Sequence, residues 1–234
     1  MTINSRTISL LGEEKIEKLM SSHVTICGLG GVGSYAAEAL ARASVGNITL
    51  VDFDRVDPSN INRQLYALKS TVGLYKADVA EKRIKDINPD CVVRVKKIYL
   101  DEETIPEILS QKPDCLVDAI DNIKSKVNLL TCSFQKGIYT VSSMGAAERI
   151  DTEKIEVCDI SKTHSCGLAR IVRTKLRKER ISKGITCAFS PEKSLMESCV
   201  DDNSVEKVLG SISYIPAIFG LKIAGNIICH LVDK

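Results

Sequence analysis

The 234-residue chain has no tryptophan and only ten phenylalanines and tyrosines, so stacking platforms for single-stranded bases would be few. No Cys-x-x-Cys pair occurs among its nine cysteines. That excludes a zinc site built on paired cysteines, and an odd count in a chain this long excludes a disulfide framework. Lysine and arginine exceed aspartate and glutamate by only two, so no global charge excess announces a nucleic acid or a membrane. The opening Met1-Thr2-Ile3-Asn4-Ser5-Arg6 lacks an apolar segment and does not read as a secretory signal. Unpaired cysteines without such a signal fit a reducing cytoplasm. No uncharged apolar run reaches about 18 residues. Val208 to Leu221 and the run after Lys222 to Val232 come nearest, with Pro216 inside the first. They are expected to form a buried strand followed by a core helix rather than a membrane or interfacial segment.

What the chain does have is an alternation of strand and helix signals. Short apolar runs at His23–Leu29, Asn47–Phe53, Val92–Ile98, Asp114–Ala119 and Ile138–Ser143 read as strands. Helical patterns at Ser34–Ser44, Lys76–Ile87, Glu102–Leu109 and Lys124–Lys136 lie between them, the second ending at Asn88-Pro89. This order predicts an α/β fold, a doubly wound, mostly parallel sheet with helices on both faces. After Gly145 the rhythm loosens. Ile155–Ile160 and Ile185–Phe189 are expected as strands around a helix at 168–179, Ser194–Val208 as a polar loop. The organisation expected is one unit, 1–234: a helical arm over 1–22, a nucleotide-binding core over 23–144, and a C-terminal extension over 145–234.

Gly28-Leu29-Gly30-Gly31-Val32-Gly33 follows the first strand and opens a helix. Glycines there allow a tight turn, and backbone N–H groups at a helix N-terminus favour a phosphate. Asp52 ends the next strand, 19 residues beyond Gly33, in position to accept hydrogen bonds from ribose hydroxyls. Alone this is a generic nucleotide signal, shared by NAD-dependent oxidoreductases. The segment Asp54 to Gln64 sharpens it with Asn60, Arg63 and Gln64, and Lys76 follows. Hydride transfer does not call for such a cluster; splitting ATP between its α- and β-phosphates does, because charge develops there in the transition state. Asp121, beyond the strand that ends near Ala119, is placed to hold Mg²⁺, which takes one or two carboxylates plus phosphates and waters.

Gly28-x-Gly-Gly-x-Gly, Asp52-Phe53-Asp54, Ser59-Asn60-x-Asn62-Arg63-Gln64, Gly73-x-x-Lys76 and Asp118-Ala119-Ile120-Asp121-Asn122 together resemble the ThiF family, the ubiquitin-activating-enzyme-like adenylyltransferases. The resemblance implies a Rossmann-like core, ATP and Mg²⁺ as cofactors, and activation of a carboxylate as an acyl-adenylate. It implies that Gly31, Asn60, Arg63 and Lys76 meet the phosphates, Asp52 the ribose, and that Asp121 is the metal and catalytic carboxylate. Gly28, Gly30, Gly33, Asp54, Gln64 and Asn122 belong to the same nucleotide site. Arg6 matches an arginine that family members project into a partner subunit's site, which implies a homodimer; otherwise it is a terminal surface charge. Branches that adenylate a sulfur-carrier or ubiquitin-like protein usually carry two Cys-x-x-Cys pairs and a structural zinc. This chain has neither pair.

From Ser5 to Leu231 the chain is similar instead to the tRNA threonylcarbamoyladenosine dehydratase branch, in Val141-Ser-Ser-Met-Gly145-Ala-Ala, Asp159-Ile-Ser-Lys-Thr163, Cys166-Gly-Leu-Ala-Arg170 and Gly210-Ser-Ile-Ser-Tyr-Ile-Pro216. Ala147 and Gly167 depart from it, where many members have glycine and proline. That branch implies ATP-dependent cyclisation of N6-threonylcarbamoyladenosine at position 37 of tRNA, with no DNA and no membrane as partner. The alternatives are a carrier-protein adenylyltransferase, an NAD-dependent oxidoreductase and a non-catalytic tRNA scaffold.

The segment 162–183 carries +7 and leaves the remainder near −5. Lys162, Arg170, Arg173, Lys175, Arg177 and Arg180 are the candidate tRNA contacts, with Leu168, Ile171, Val172 and Leu176 as the expected buried stripe. Cys166, at the start of this helix, is either a bystander or an acceptor of acyl groups or of sulfur from a cysteine desulfurase partner.

Overall fold

The computed structural model describes residues 3–193 and 209–233; the expected loop at Ser194–Val208 lies outside them. Helices α1 (Ser5–Leu11) and α2 (Glu13–Ser21) precede β1 (His23–Cys27), α3 (Gly33–Arg42), β2 (Asn47–Val51), α4 (Lys76–Ile87) and β3 (Val92–Lys96). Then come α5 (Thr104–Ser110), β4 (Cys115–Asp118), α6 (Ile123–Gln135), β5 (Tyr139–Ser143), β6 (Glu156–Asp159), α7 (Gly167–Lys178), β7 (Thr186–Phe189) and α8 (Tyr214–Asp233). The seven strands form one sheet in the order β3-β2-β1-β4-β5-β7-β6. Only β6 runs antiparallel, pairing with β7. The order reverses between β1 and β4, so the crevice beyond their carboxyl ends is where an open α/β sheet binds ligands.

Alternation along the central strands decides which helix covers which face. Val24, Ile26, Ile48 and Leu50 join the alanine face of α3 (Ala36, Ala37, Leu40, Ala41) and Ile215, Phe219, Ile223 and Ile227 of α8 in one core. Cys27, Val51 and Leu116 point the other way, against Ile105, Ile108 and Leu109 of α5 and Leu129 of α6. The turn from β1 into α3 depends on glycine. Gly28 has φ +89°, and a Cβ there would meet the Ala119 carbonyl oxygen at 2.6 Å. A Cβ on Gly33 would overlap the Gly28 carbonyl, so this glycine serves the close turn itself.

Two sequence expectations need correction. The C-terminal run is not a strand followed by a helix: α8 is continuous from Tyr214 to Asp233, and residues 209–213 form no strand. Pro216 sits in its first turn, where a missing N–H costs nothing. By length and composition α8 would suffice to cross a membrane, yet half of its most apolar window is buried inside the protein. In α7 the buried positions are Ala169, Val172 and Leu176; Ile171 is exposed and Leu168 only partly covered. The small Ala169 lets the helix lie close to Ile160, Ile185 and Phe189, and this rotates Ile171 outward.

Glu38 of α3 lies nearly buried, tied to Arg83 (Nε to Oε2, 2.7 Å) and Arg42 (Nη2 to Oε1, 2.7 Å). Burial pushes its carboxyl up, but the hydrogen bonds from Arg83 and Arg42 outweigh that and hold it below its ordinary range. A depressed folded-state value contributes stability above the unfolded pKa, about 4.3, that is lost as pH falls through the folded one. Glu38→Gln is therefore expected to be less stable than the parent at neutral pH, with the difference closing below about pH 4. Urea melts at pH 7 and pH 3.5 check this; an equal difference at both would contradict it.

Candidate active site

The carboxyl ends of the parallel strands surround a cavity of about 1000 Å³. Its floor is the β1–α3 loop, with Gly28, Gly30 and Gly31 in the lining. Asp52 lines the cavity beside it, 8% exposed. Its Oδ2 accepts from the Leu29 N–H at 2.6 Å and its Oδ1 from the Asp54 N–H at 2.8 Å. The carboxylate thus fixes the glycine loop and the end of β2 against each other. Burial raises the Asp52 pKa, a shift that Lys76 and these two N–H groups partly offset. Lys76, at the first position of α4, is 6% exposed, and its ammonium pairs with Asp54 at 2.7 Å.

A long crossover carries Arg63 and Gln64. A one-turn 3-10 helix, Pro58–Asn60, is capped at both ends of its Asp57–Asn60 pair: Asp57 accepts from the Ser59 N–H, and Asn60 Oδ1 accepts from the Asp57 N–H. The Asn60 carbonyl then accepts the N–H groups of Arg63 and Gln64 at 3.1 and 2.9 Å. Asn60 is therefore buried behind the cavity rather than in its lining, as is Gly33; the structure brings neither to the cavity surface. Their place is in the turns that present Arg63 and the glycine loop. Arg63 is half-buried in the lining, its Nη1 bonded to the Ser59 carbonyl and Asn62 Oδ1. Gln64 lies beside Gly30. Phe53 and Tyr99 meet edge to face at 5.2 Å on the wall nearest β3.

Asp121 and Asn122 line the cavity beyond β4. Asn122 caps α6, its Oδ1 accepting the N–H groups of Lys124 and Ser125. Among the described residues no three carboxylate, histidine or cysteine side chains gather as a metal site. The carboxylate of Asp121 could hold Mg²⁺, which draws most of its oxygens from phosphates and water.

Sequence reasoning missed the pair behind this turn. Lys126 and Asp118 are both fully buried, Nζ to Oδ2 2.7 Å. Lys126 also donates to the Ser143 carbonyl at 3.0 Å, and Asp118 accepts the Ser142 hydroxyl at 2.6 Å and the Ile120 N–H at 3.1 Å. The pair thereby ties the Asp118–Asp121 turn to β5. Neither a period nor a motif joins a strand end to the second turn of the next helix. Beside it, burial pushes the Cys27 and Cys187 thiols far up, which makes both inert.

On the far side the cavity is bounded by Ser143 to Arg149 after β5 and by Cys166, Gly167 and Leu168 at the start of α7. Cys166 is 5% exposed. Gly167 is the first residue of α7, where proline is favoured in helices generally, and a Cβ there would meet nothing within 4 Å. Arg6 of α1 is exposed and does not line the cavity. Of the basic candidates, Lys162, Arg170, Lys175 and Arg177 are exposed. Arg173 departs from them: its Nη1 is half-buried and bonded to the Thr163 carbonyl at 2.7 Å and to the Thr163 hydroxyl. Arg180 lies past the end of α7 at φ +63°, off the helical row.

A ThiF family model matches residues 4–234. The tRNA threonylcarbamoyladenosine dehydratase of Bacillus subtilis is 42% identical over 97% of this chain and 94% of its own length. That of Escherichia coli is 38% identical over 80% of this chain and 72% of its own. The crystal structure of Escherichia coli tRNA N6-threonylcarbamoyladenosine dehydratase in complex with ATP superposes with a TM-score of 0.90 and 33% identity, covering 98% of this chain and 93% of that one.

Proposed function

The chain belongs to the ThiF family, and we propose that it catalyses the ATP-dependent dehydration of N6-threonylcarbamoyladenosine at position 37 of tRNA. The observation that carries this reading is the cavity itself. A glycine loop, Arg63 and Lys76 stand at one end, and an acceptor end is bounded by the start of the basic helix α7. The full-length similarity to dehydratases supports the branch.

The threonine carboxylate is a poor electrophile. One of its oxygens bonds to the α-phosphorus of ATP, the bond between the α- and β-phosphates breaks, and pyrophosphate leaves. The amides of the glycine loop and the Arg63 guanidinium meet the charge that develops on the phosphates. Lys76 is held by Asp54 until a phosphate oxygen competes for it. Asp121 would hold Mg²⁺, which neutralises the polyphosphate when bound. A group of the adjacent ureido linkage then bonds to the carboxyl carbon, the bond to AMP breaks, and the proton of the nucleophile passes to water. Because the nucleophile is tethered, positioning suffices and no protein nucleophile is needed. Cys166 is read as part of the wall; at 5% exposure it is poorly placed to accept sulfur from a partner protein. The Phe53–Tyr99 wall suits an adenine ring. A homodimer in which Arg6 completes the partner's site, and a cytoplasmic location, belong to the same proposal.

The test is AMP formation by purified protein with ATP and Mg²⁺. AMP should accumulate with tRNA bearing the modification and not with unmodified tRNA. Release dependent on a small carrier protein instead would favour the other adenylating branch. The exposed cations of α7 give a second expectation. Arg170→Ala with Arg177→Ala should weaken tRNA binding and flatten the slope of log affinity against log salt by about one unit per lost phosphate contact. An unchanged slope would exclude this face as the docking surface.

A further inference from the structure

The sequence pattern singled out no cation at the acceptor end of the cavity, yet one lines it among the described residues. Arg63 and Lys76 belong to the opposite end, beyond β1 and β2; Arg149 stands beyond β5, facing the start of α7. Its Nη1 donates to the Glu148 carbonyl at 3.0 Å. Its Nε–H is buried and finds no acceptor among the described residues. A buried guanidinium N–H without a partner is costly in a folded protein and is a natural point of ligand attachment.

The backbone that carries Arg149 is held in an unusual shape. Glu148 has φ +58°, in the left-handed region that L side chains seldom occupy. The surroundings impose it. The Glu148 N–H donates to the Gly210 carbonyl at 2.8 Å, and the N–H groups of Ile150 and Asp151 donate to the Glu192 carboxylate. The Tyr214 hydroxyl donates to the Ile150 carbonyl at 2.9 Å. Strain maintained by this many contacts, at a cavity wall, holds the backbone from which the guanidinium projects, and the Nη1 bond to the Glu148 carbonyl ties the guanidinium to it.

We propose that Arg149 is the residue that recognises the carboxylate of the substrate, and that it keeps hold of the oxygen that does not attack ATP. The inference rests on the reading in the previous subsection and names the group that the acceptor end takes. A guanidinium offers two parallel N–H donors that match a carboxylate. A half-buried wall strengthens such a bond over one in water. Once one carboxylate oxygen has bonded to the α-phosphorus, the other becomes the acyl carbonyl. The same donors then polarise that carbonyl for attack by the ureido group. The other anions have their own cations: the ATP phosphates at the glycine end, the tRNA backbone along exposed α7.

Equilibrium binding without ATP separates the sources of the anion. Two tRNAs are compared, one carrying threonylcarbamoyladenosine and one unmodified at that base. The parent protein is expected to prefer the modified tRNA by roughly 10- to 100-fold, the range of a charge-assisted contact. Arg149→Met should abolish that preference, lowering affinity for modified tRNA to that for unmodified and leaving the latter unchanged. Arg149→Lys should keep part of it. ATP affinity, measured on the same preparations, should stay at the parental value in both variants. An equal loss on both tRNAs would mean a backbone phosphate contact and would overturn the proposal. So would an undiminished preference in Arg149→Met. If Arg149→Met loses ATP binding as well, Arg149→Lys decides: full parental preference overturns the proposal, a partial one upholds it. A parent protein that neither prefers nor converts the modified tRNA overturns the functional reading, and this inference with it. One that converts it while Arg149→Met keeps its preference overturns the inference alone.

Discussion

Arg63→Ala is expected to lower the rate of tRNA-dependent AMP formation by about 10²- to 10³-fold, the usual cost of removing one donor from developing transition-state charge. Asp121→Ala should lose at least as much. Arg63 is set by the Asn60 turn so that its guanidinium lies in the cavity lining, and Asp121 faces the same space from beyond β4. Both stand apart from the exposed face of α7, so affinity for tRNA should be nearly unchanged in each variant. Single-turnover AMP formation and tRNA binding, measured together, make the distinction. Full activity in both variants would show that the phosphates lie elsewhere.

The largest effect on stability is expected at Lys126. Replacing it by methionine removes the ammonium and leaves Asp118 charged in a site with no exposed surface. Breaking a buried pair in this way costs about 3–5 kcal/mol. Removing both charges, as Asp118→Ala with Lys126→Met, should cost clearly less than Lys126→Met alone, because the penalty lies in the unpaired charge rather than in the lost attraction. Denaturant melts of the two variants check the order. If the double variant were the less stable, the pair would be a net source of stability rather than a device for holding the Asp118–Asp121 turn.

Much of this site was legible in the sequence because its parts are local. The glycine spacing after β1, the aspartate that ends β2 and the lysine that opens α4 each sit where one element meets the next, and turn chemistry there leaves few choices. What the sequence hid is set by tertiary packing. Asn60 resembles a phosphate ligand by motif, but its Oδ1 is engaged in the turn that presents Arg63 and the residue lies outside the cavity lining. The exposed Ile171 and buried Ala169 follow from how closely α7 approaches the sheet, which hydrophobic periodicity does not contain. Arg173 reads as one of a row of surface cations until Thr163 is found ten residues away in sequence and within hydrogen-bond reach. The Lys126–Asp118 pair and Arg149 depend on where β5 ends relative to β4 and α7. Only the assembled sheet supplies that relation.

If this cavity spends ATP to remove water from a modified nucleoside, that nucleoside must lose mass. Mass spectrometry of nucleosides from tRNA incubated with the protein, ATP and Mg²⁺ tests it most directly. Threonylcarbamoyladenosine is expected to be converted to a product lighter by one water, with one AMP formed for each. An unchanged nucleoside mass in the presence of all three would contradict it.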